Sequence, residues 1–136
     1  MNEPPLSVTV EKQRPLGLAM RRGFVGRCPN CGKGRLFHAY LKVIERCEVC
    51  GEDLSHQRAD DAPAYFTIVI VGHFVVAGVL ASETVAPYTP FWVPVLFWGA
   101  LALASSLWLL PRIKGTLVAL QWANRMHGFG GPEHAD

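Results

Sequence analysis

Between residues 62 and 110 the chain carries no lysine and no arginine, and Glu83 is its single acid. A water-soluble domain covers itself with interspersed charge, so this stretch is excluded as the surface of one. A buried hydrophobic hairpin would need a large surrounding core, and the rest of a 136-residue chain is too short to supply it. Nucleic-acid binding is disfavoured: the net charge is only +2, and no basic run is interleaved with aromatics. Residues 1–27 have scattered arginines and prolines but no continuous apolar core, which predicts that no signal peptide is present. No nucleophile stands beside a base and Glu83 has no catalytic neighbour, so a hydrolase or transferase is not indicated.

Two uncharged runs fill the charge-poor region. Ala64 to Ser82 and Phe91 to Leu110 are each long enough, at about 1.5 Å per residue, to cross roughly 30 Å of hydrocarbon. Aromatics stand where interfacial anchors belong: Tyr65 and Phe66 at one end, Tyr88, Phe91 and Trp92 at the other, Trp108 back near the first. Every Lys and Arg lies before the first run or after the second. The positive-inside rule therefore predicts both termini in the cytoplasm and a short loop, Glu83 to Pro90, on the periplasmic side. Small residues recur at four-residue spacing: Ala77 and Ala81, Gly78 and Ser82, Ala100 and Ala104, Ala102 and Ser106. Such stripes let helices approach closely, either within the hairpin or against a partner, a second copy included.

Cysteine is scarce but patterned. The chain's four cysteines form two Cys-x-x-Cys-Gly pairs, Cys28/Cys31 and Cys47/Cys50, fifteen residues apart. Each pair can turn as a knuckle, with Gly32 or Gly51 at positive φ and backbone N–H groups aimed at sulfur. Four thiolates at this spacing match the zinc-ribbon pattern, and a closed tetrathiolate site is structural rather than catalytic. Two disulfides in an exported protein are the competing reading. The topology argues against it, since cytoplasmic thiols stay reduced. Iron held as in rubredoxin is a second alternative, although rubredoxin pairs usually stand further apart.

Other residues break the local pattern. His73 falls at the centre of the first span, where a charged side chain costs about 2.5–3.5 kcal/mol, so it is expected to be neutral and hydrogen-bonded. The facing level of the second span, near Gly99 to Leu101, is apolar and offers no partner. His73 therefore reads as a structural histidine or, failing a partner, as an intermolecular contact or a ligand to haem or metal between subunits. Asp61 fits a helix N-cap, with Pro63 in the first turn. Asp60 and His56, four residues apart, are a candidate polar site at the membrane surface. His38, between the cysteine pairs, is expected at the surface. Pro111 to Gly115 is expected to stop the second helix, and 116–126 to form a short interfacial helix.

The expected organisation is a mobile segment over 1–20 and a zinc-ribbon-like cytoplasmic head over 21–61. Transmembrane helices follow over 62–82 and 91–110, joined by the loop 83–90. An interfacial segment over 111–126 and a disordered tail over 127–136 complete the chain.

One string of motifs goes further: Arg27-Cys-Pro-Asn-Cys-Gly-Lys-Gly34, Leu36-Phe37, Tyr40-Leu41, Cys47-x-x-Cys-Gly51, Ala59-Asp-Asp-Ala-Pro-Ala64, Gly72-His73, and Lys114-Gly115 with Gln121-Trp122. Over about residues 20–126 it resembles the bacterial membrane-protein family catalogued as domain of unknown function 983. Ala62 departs from that pattern, which commonly has glycine there. The resemblance implies an inner-membrane protein with no settled activity. In many alphaproteobacteria the family's genes lie among those for cytochrome oxidase subunits and assembly factors. It therefore points to a non-enzymatic accessory or assembly factor of that respiratory complex. A membrane protein handling iron, haem or copper is the alternative.

Overall fold

A computed structural model of the chain describes residues 12–58 and 60–129. Helix α1 spans Leu16–Phe24, and a small hairpin pairs β1, Phe37–Ala39, with β2, Lys42–Val43. Helices α2, Ala62–Val85, and α3, Trp92–Ala123, follow, and a 3₁₀ turn at Met126–Gly128 ends the described chain. The strands run antiparallel, Phe37 opposite Val43 and Ala39 opposite Lys42.

Each apolar run forms a helix, which satisfies its backbone polar groups within the segment, as a hydrocarbon surrounding would require. Both helices are long and apolar enough to cross a membrane, with mean hydropathy 2.2 and 1.9 in their most apolar stretches. Only 6% and 0% of those stretches are buried within the protein, and Phe74 is 75% exposed. A soluble core helix would be covered; these present their apolar side chains outward, as a helix that crosses a membrane does. Their hydroxyls agree. Thr67 donates to Pro63 O, Ser82 to Val79 O, and Ser105 to Leu101 O, each within its own helix. Between the helices, the Trp98 ring lies over Gly78, where a β-carbon would overlap it, and the indole N–H points at Ser82 Oγ at 3.4 Å. The Gly78/Ser82 stripe thus packs the hairpin upon itself.

Pro111 does not end the second helix. α3 runs through it to Ala123, so the expected interfacial segment is the continuation of one 32-residue helix. At about 1.5 Å per residue α3 is about 48 Å long, well beyond one hydrocarbon thickness. The excess is the backbone of the head. Val118, Ala119, Trp122 and Ala123 form its core with Ala19 of α1, Leu36, Leu54 and Phe129. That core explains why the helix continues: a proline costs one backbone bond, while the turns beyond it bury an apolar face.

Helix α1 crosses α3 where Gly23 meets Gly115. A β-carbon on either would collide with the other's carbonyl oxygen, so the two backbones touch directly. The segment expected to be mobile is therefore ordered from residue 12 onward. Arg14 stacks 4.4 Å over the Trp122 ring, donates to Trp122 O and Phe129 O, and lies 3.8 Å from Glu52. At the tail, residues 127–129 are likewise structured and Phe129 is buried. Residues 1–11 and 130–136, the rest of those two expectations, lie outside the described residues.

Candidate metal centre

Each cysteine pair closes a tight turn. Gly32 N–H donates to Cys28 O at 2.8 Å, and Gly51 N–H to Cys47 O at 3.0 Å. The glycines have φ of 70° and 75°, left-handed values that any β-carbon would resist. Single antiparallel bridges close the two knuckles, Arg27 with Arg35 and Arg46 with Asp53. Arg22 of α1 donates to Pro29 O and Asn30 O, tying the first knuckle to the head core.

The knuckles bring all four sulfurs together, each within 4.8 Å of every other. Cys28 and Cys50 stand 3.7 Å apart, as do Cys31 and Cys47, and none is paired as a disulfide. A tetrahedral ion with metal–sulfur bonds of about 2.3 Å has sulfur–sulfur edges of about 3.8 Å. The cage therefore fits Zn²⁺ in size, donor type and number, and iron in the same geometry. No position is left open, which suits a structural ion.

Electrostatics point the same way. For Cys31, burial opposes ionisation, but the N–H groups of Gly34 and Lys33 outweigh it and lower the thiol to about 6. Those donors lie 3.4 and 3.5 Å from Cys31 Sγ. Burial pushes the Cys28 and Cys50 thiols up. Ionising all four together requires a cation at their centre. Gly34 also keeps the cage compact, since a β-carbon there would collide with Cys47 Sγ.

Four contacts lock this head onto the two long helices, and the individual motifs did not announce them. Pro111 has no N–H to give the Leu107 carbonyl four residues back. Tyr40, at the tip of the β-hairpin, supplies the missing donor with its hydroxyl at 2.8 Å. Beside it Lys114 Nζ donates to Leu41 O at 2.6 Å, holding Leu41 at φ 60°. Gln121 clamps the linker before α2: its Oε1 accepts from Arg58 N–H at 2.8 Å and its Nε2 donates to Arg58 O at 2.9 Å. Trp122 Nε1 donates to Glu52 Oε1 in the second knuckle. Two sequence signals bore on them: Pro111, which guarantees an orphaned carbonyl at Leu107, and the motif string, which contains Tyr40, Leu41, Lys114, Gln121 and Trp122 without saying what they touch.

The other candidates do not join the cage. His56 does not pair with Asp60; it faces Asp53, its Nε2 3.5 Å from Oδ2, and its ring meets Phe129 edge-on. Ser55 holds that carboxylate from both hydroxyl and N–H and lowers its pKa. Asp60 is exposed. Asp61 occupies the N-cap position of α2, but its side chain makes no capping bond; its carbonyl takes the N–H groups of Ala64 and Tyr65 instead. His38 is exposed on β1. His73 is exposed too, its Nδ1 2.6 Å from Val69 O of the same helix.

A thiolate cage, a hairpin tip docked on a proline-broken turn and a Gln-Trp clamp thus occupy one stretch of chain. The profile of the family described as Protein of unknown function (DUF983) matches residues 37–122, over half of the 136. The chain belongs to this family. The DUF983 match begins at the strand that carries the hairpin and ends at Trp122. It takes in the second knuckle and all four docking contacts, while Cys28 and Cys31 lie just before it. Searches of curated proteins and of solved structures find no match.

Proposed function

We propose that this chain is a non-enzymatic integral protein of the bacterial inner membrane, with both termini and a zinc-loaded head in the cytoplasm. In this reading it serves as an accessory or assembly factor of a respiratory complex, the cytochrome oxidase. The carrying observation is that α3 belongs both to the core of the four-cysteine head and to the apolar hairpin. A partner that grips the head is then felt along the span, because no flexible joint intervenes. A closed thiolate cage supports a structural ion over catalysis. The orientation rests on the distribution of Lys and Arg, and the process on the gene association that the family resemblance implies.

Crosslinked co-purification from native membranes tests the reading, together with metal analysis. It expects about one zinc per chain, as a single closed site should hold, and oxidase subunits or their assembly factors among the captured proteins. Normal oxidase abundance and haem content in a deletion strain would refute the assembly role. The second reading, iron in the same cage, is favoured by the N–H groups aimed at Cys31 sulfur. Absorption separates the two, since ferric tetrathiolate is coloured and zinc is not.

A further inference from the structure

Arg112 is a cation that the fold stations at the foot of the hairpin without giving it an anion. Its Cζ lies 4.0 Å from the centre of the Trp108 ring and 5.8 Å from that of Phe24 on α1. Ring contacts of this kind do not consume the N–H donors of a guanidinium. Among the described residues no carboxylate or carbonyl accepts from them. The two helices that carry the cluster, α1 and α3, have no acidic residue. The result is a positive charge with open hydrogen-bond donors.

Trp108 ties this cation to a groove. About 560 Å³ opens between the two long helices, with Phe74 and Gly78 on the α2 wall and Trp98, Leu101, Ser105 and Trp108 on the α3 wall. Leu101, Ser105, Trp108 and Arg112 follow one another at steps of four, three and four residues. The guanidinium therefore continues the stripe of α3 that lines the groove. The Ser105 hydroxyl donates to Leu101 O within its own helix, so the groove asks for no polar partner along its length.

Depth identifies the occupant. From Trp98 to Trp108 is ten residues, about 15 Å of helix, which is half of a roughly 30 Å hydrocarbon core and so one leaflet. Arg112 stands one turn further, about 6 Å, at the height of the headgroups. An apolar groove one leaflet deep with a cation at its headgroup end matches a phospholipid. One acyl chain lies along the groove, and the planar fork of the guanidinium meets the phosphate oxygens. A zwitterionic lipid would bring its own cation to a cluster that has no acid; a net anionic lipid would not. A second copy in the same orientation, docked symmetrically here, would bring its own Arg112 to the same depth, like charge against like.

We propose that the groove between α2 and α3 holds one acyl chain of an anionic glycerophospholipid, with the lipid's phosphate on Arg112. The site rests on the reading of the two long helices as membrane spans and not on the assembly role.

The test places the full zinc-loaded chain in nanodiscs of phosphatidylcholine, with a minor fraction of the lipid brominated on its acyl chain. Quenching of tryptophan fluorescence reports bromine beside Trp98 and Trp108. Brominated phosphatidylglycerol should quench at about fivefold lower membrane fraction than brominated phosphatidylcholine, the advantage expected of one cation at the membrane surface. Arg112→Gln should remove that advantage. Arg35→Gln, at an exposed cation of the head, should not, with zinc content unchanged in both. Ser105→Phe, which fills the groove and leaves Arg112 in place, should remove it too. Nanodiscs made wholly of brominated phosphatidylcholine should quench every variant, and no quenching there would refute the membrane reading itself. Equal quenching by the two minor lipids in an inserted wild type, as expected if another protein's helix or a second copy fills the groove, overturns the proposal. So does an advantage that survives Arg112→Gln, or one that survives Ser105→Phe, since surface charge alone would then account for it.

Discussion

Replacing Tyr40 with phenylalanine removes one oxygen and keeps the ring. In the wild type that hydroxyl donates to the Leu107 carbonyl, which Pro111 leaves without its helical partner. Leaving a polar group unsatisfied on burial costs about 1–3 kcal/mol. Tyr40 is 53% exposed, so water reaches part of the site and the lower end, about 1 kcal/mol, is the better expectation. Lys114 still holds Leu41, so the hairpin should loosen rather than detach. At about 1.4 kcal/mol per tenfold, that cost means roughly fivefold faster local opening. Hydrogen exchange reads it directly at the Ile44 amide, which donates to Leu36 O beside the hairpin. The decisive control is Pro111→Ala, which returns an N–H to Leu107. In that background Tyr40→Phe should cost much less, giving a coupling of about 1 kcal/mol. Equal effects in both backgrounds would refute the idea that the tyrosine serves a carbonyl orphaned by proline.

Further outcomes follow from the same geometry. Cys28→Ser should abolish stable zinc binding and release α1 from α3 while both spans still insert, because a structural zinc contributes about 10–16 kcal/mol of apparent binding in small finger peptides. Full metal content and protease resistance in that variant would contradict the cage. Zinc retention against a chelator should fall as the pH drops, since protons compete for every thiolate. In the metal-free head the depressed Cys31 contributes stability above the ordinary thiol value, and this is lost as the pH falls through about 6. The raised Cys28 and Cys50 act oppositely, favouring the fold while protonated and ceasing to do so at alkaline pH. A pH titration of the apo head by circular dichroism should find loosening on the alkaline side that zinc reverses. Gln121→Ala removes both bonds to Arg58, worth about 1–2 kcal/mol together. Trypsin should then cut after Arg58 several-fold faster, and an unchanged rate would mean that the clamp is not limiting.

The four sulfurs and the two apolar helices were legible because both depend on neighbours along the chain. A Cys-x-x-Cys-Gly turn closes within five residues, and a span is recognised by uninterrupted apolar length. The expected helix stop at Pro111 failed because propensity is a local quantity. It could not weigh one lost backbone bond against a core assembled with Ala19, Leu36 and Leu54. Asp61 reached the cap position without using its carboxylate, and His56 turned to Asp53, choices made by backbone course rather than spacing.

By itself, then, the order of residues determined that thiolates gather in a head and that two helices follow it, each long and apolar enough for a bilayer. Only the tertiary structure decided that head and spans are one body. Tyr40 meets Leu107 across 67 positions and Gln121 meets Arg58 across 63. Contacts at such separations are selected by the packing of α1 on α3, a property of the whole fold that no local motif carries.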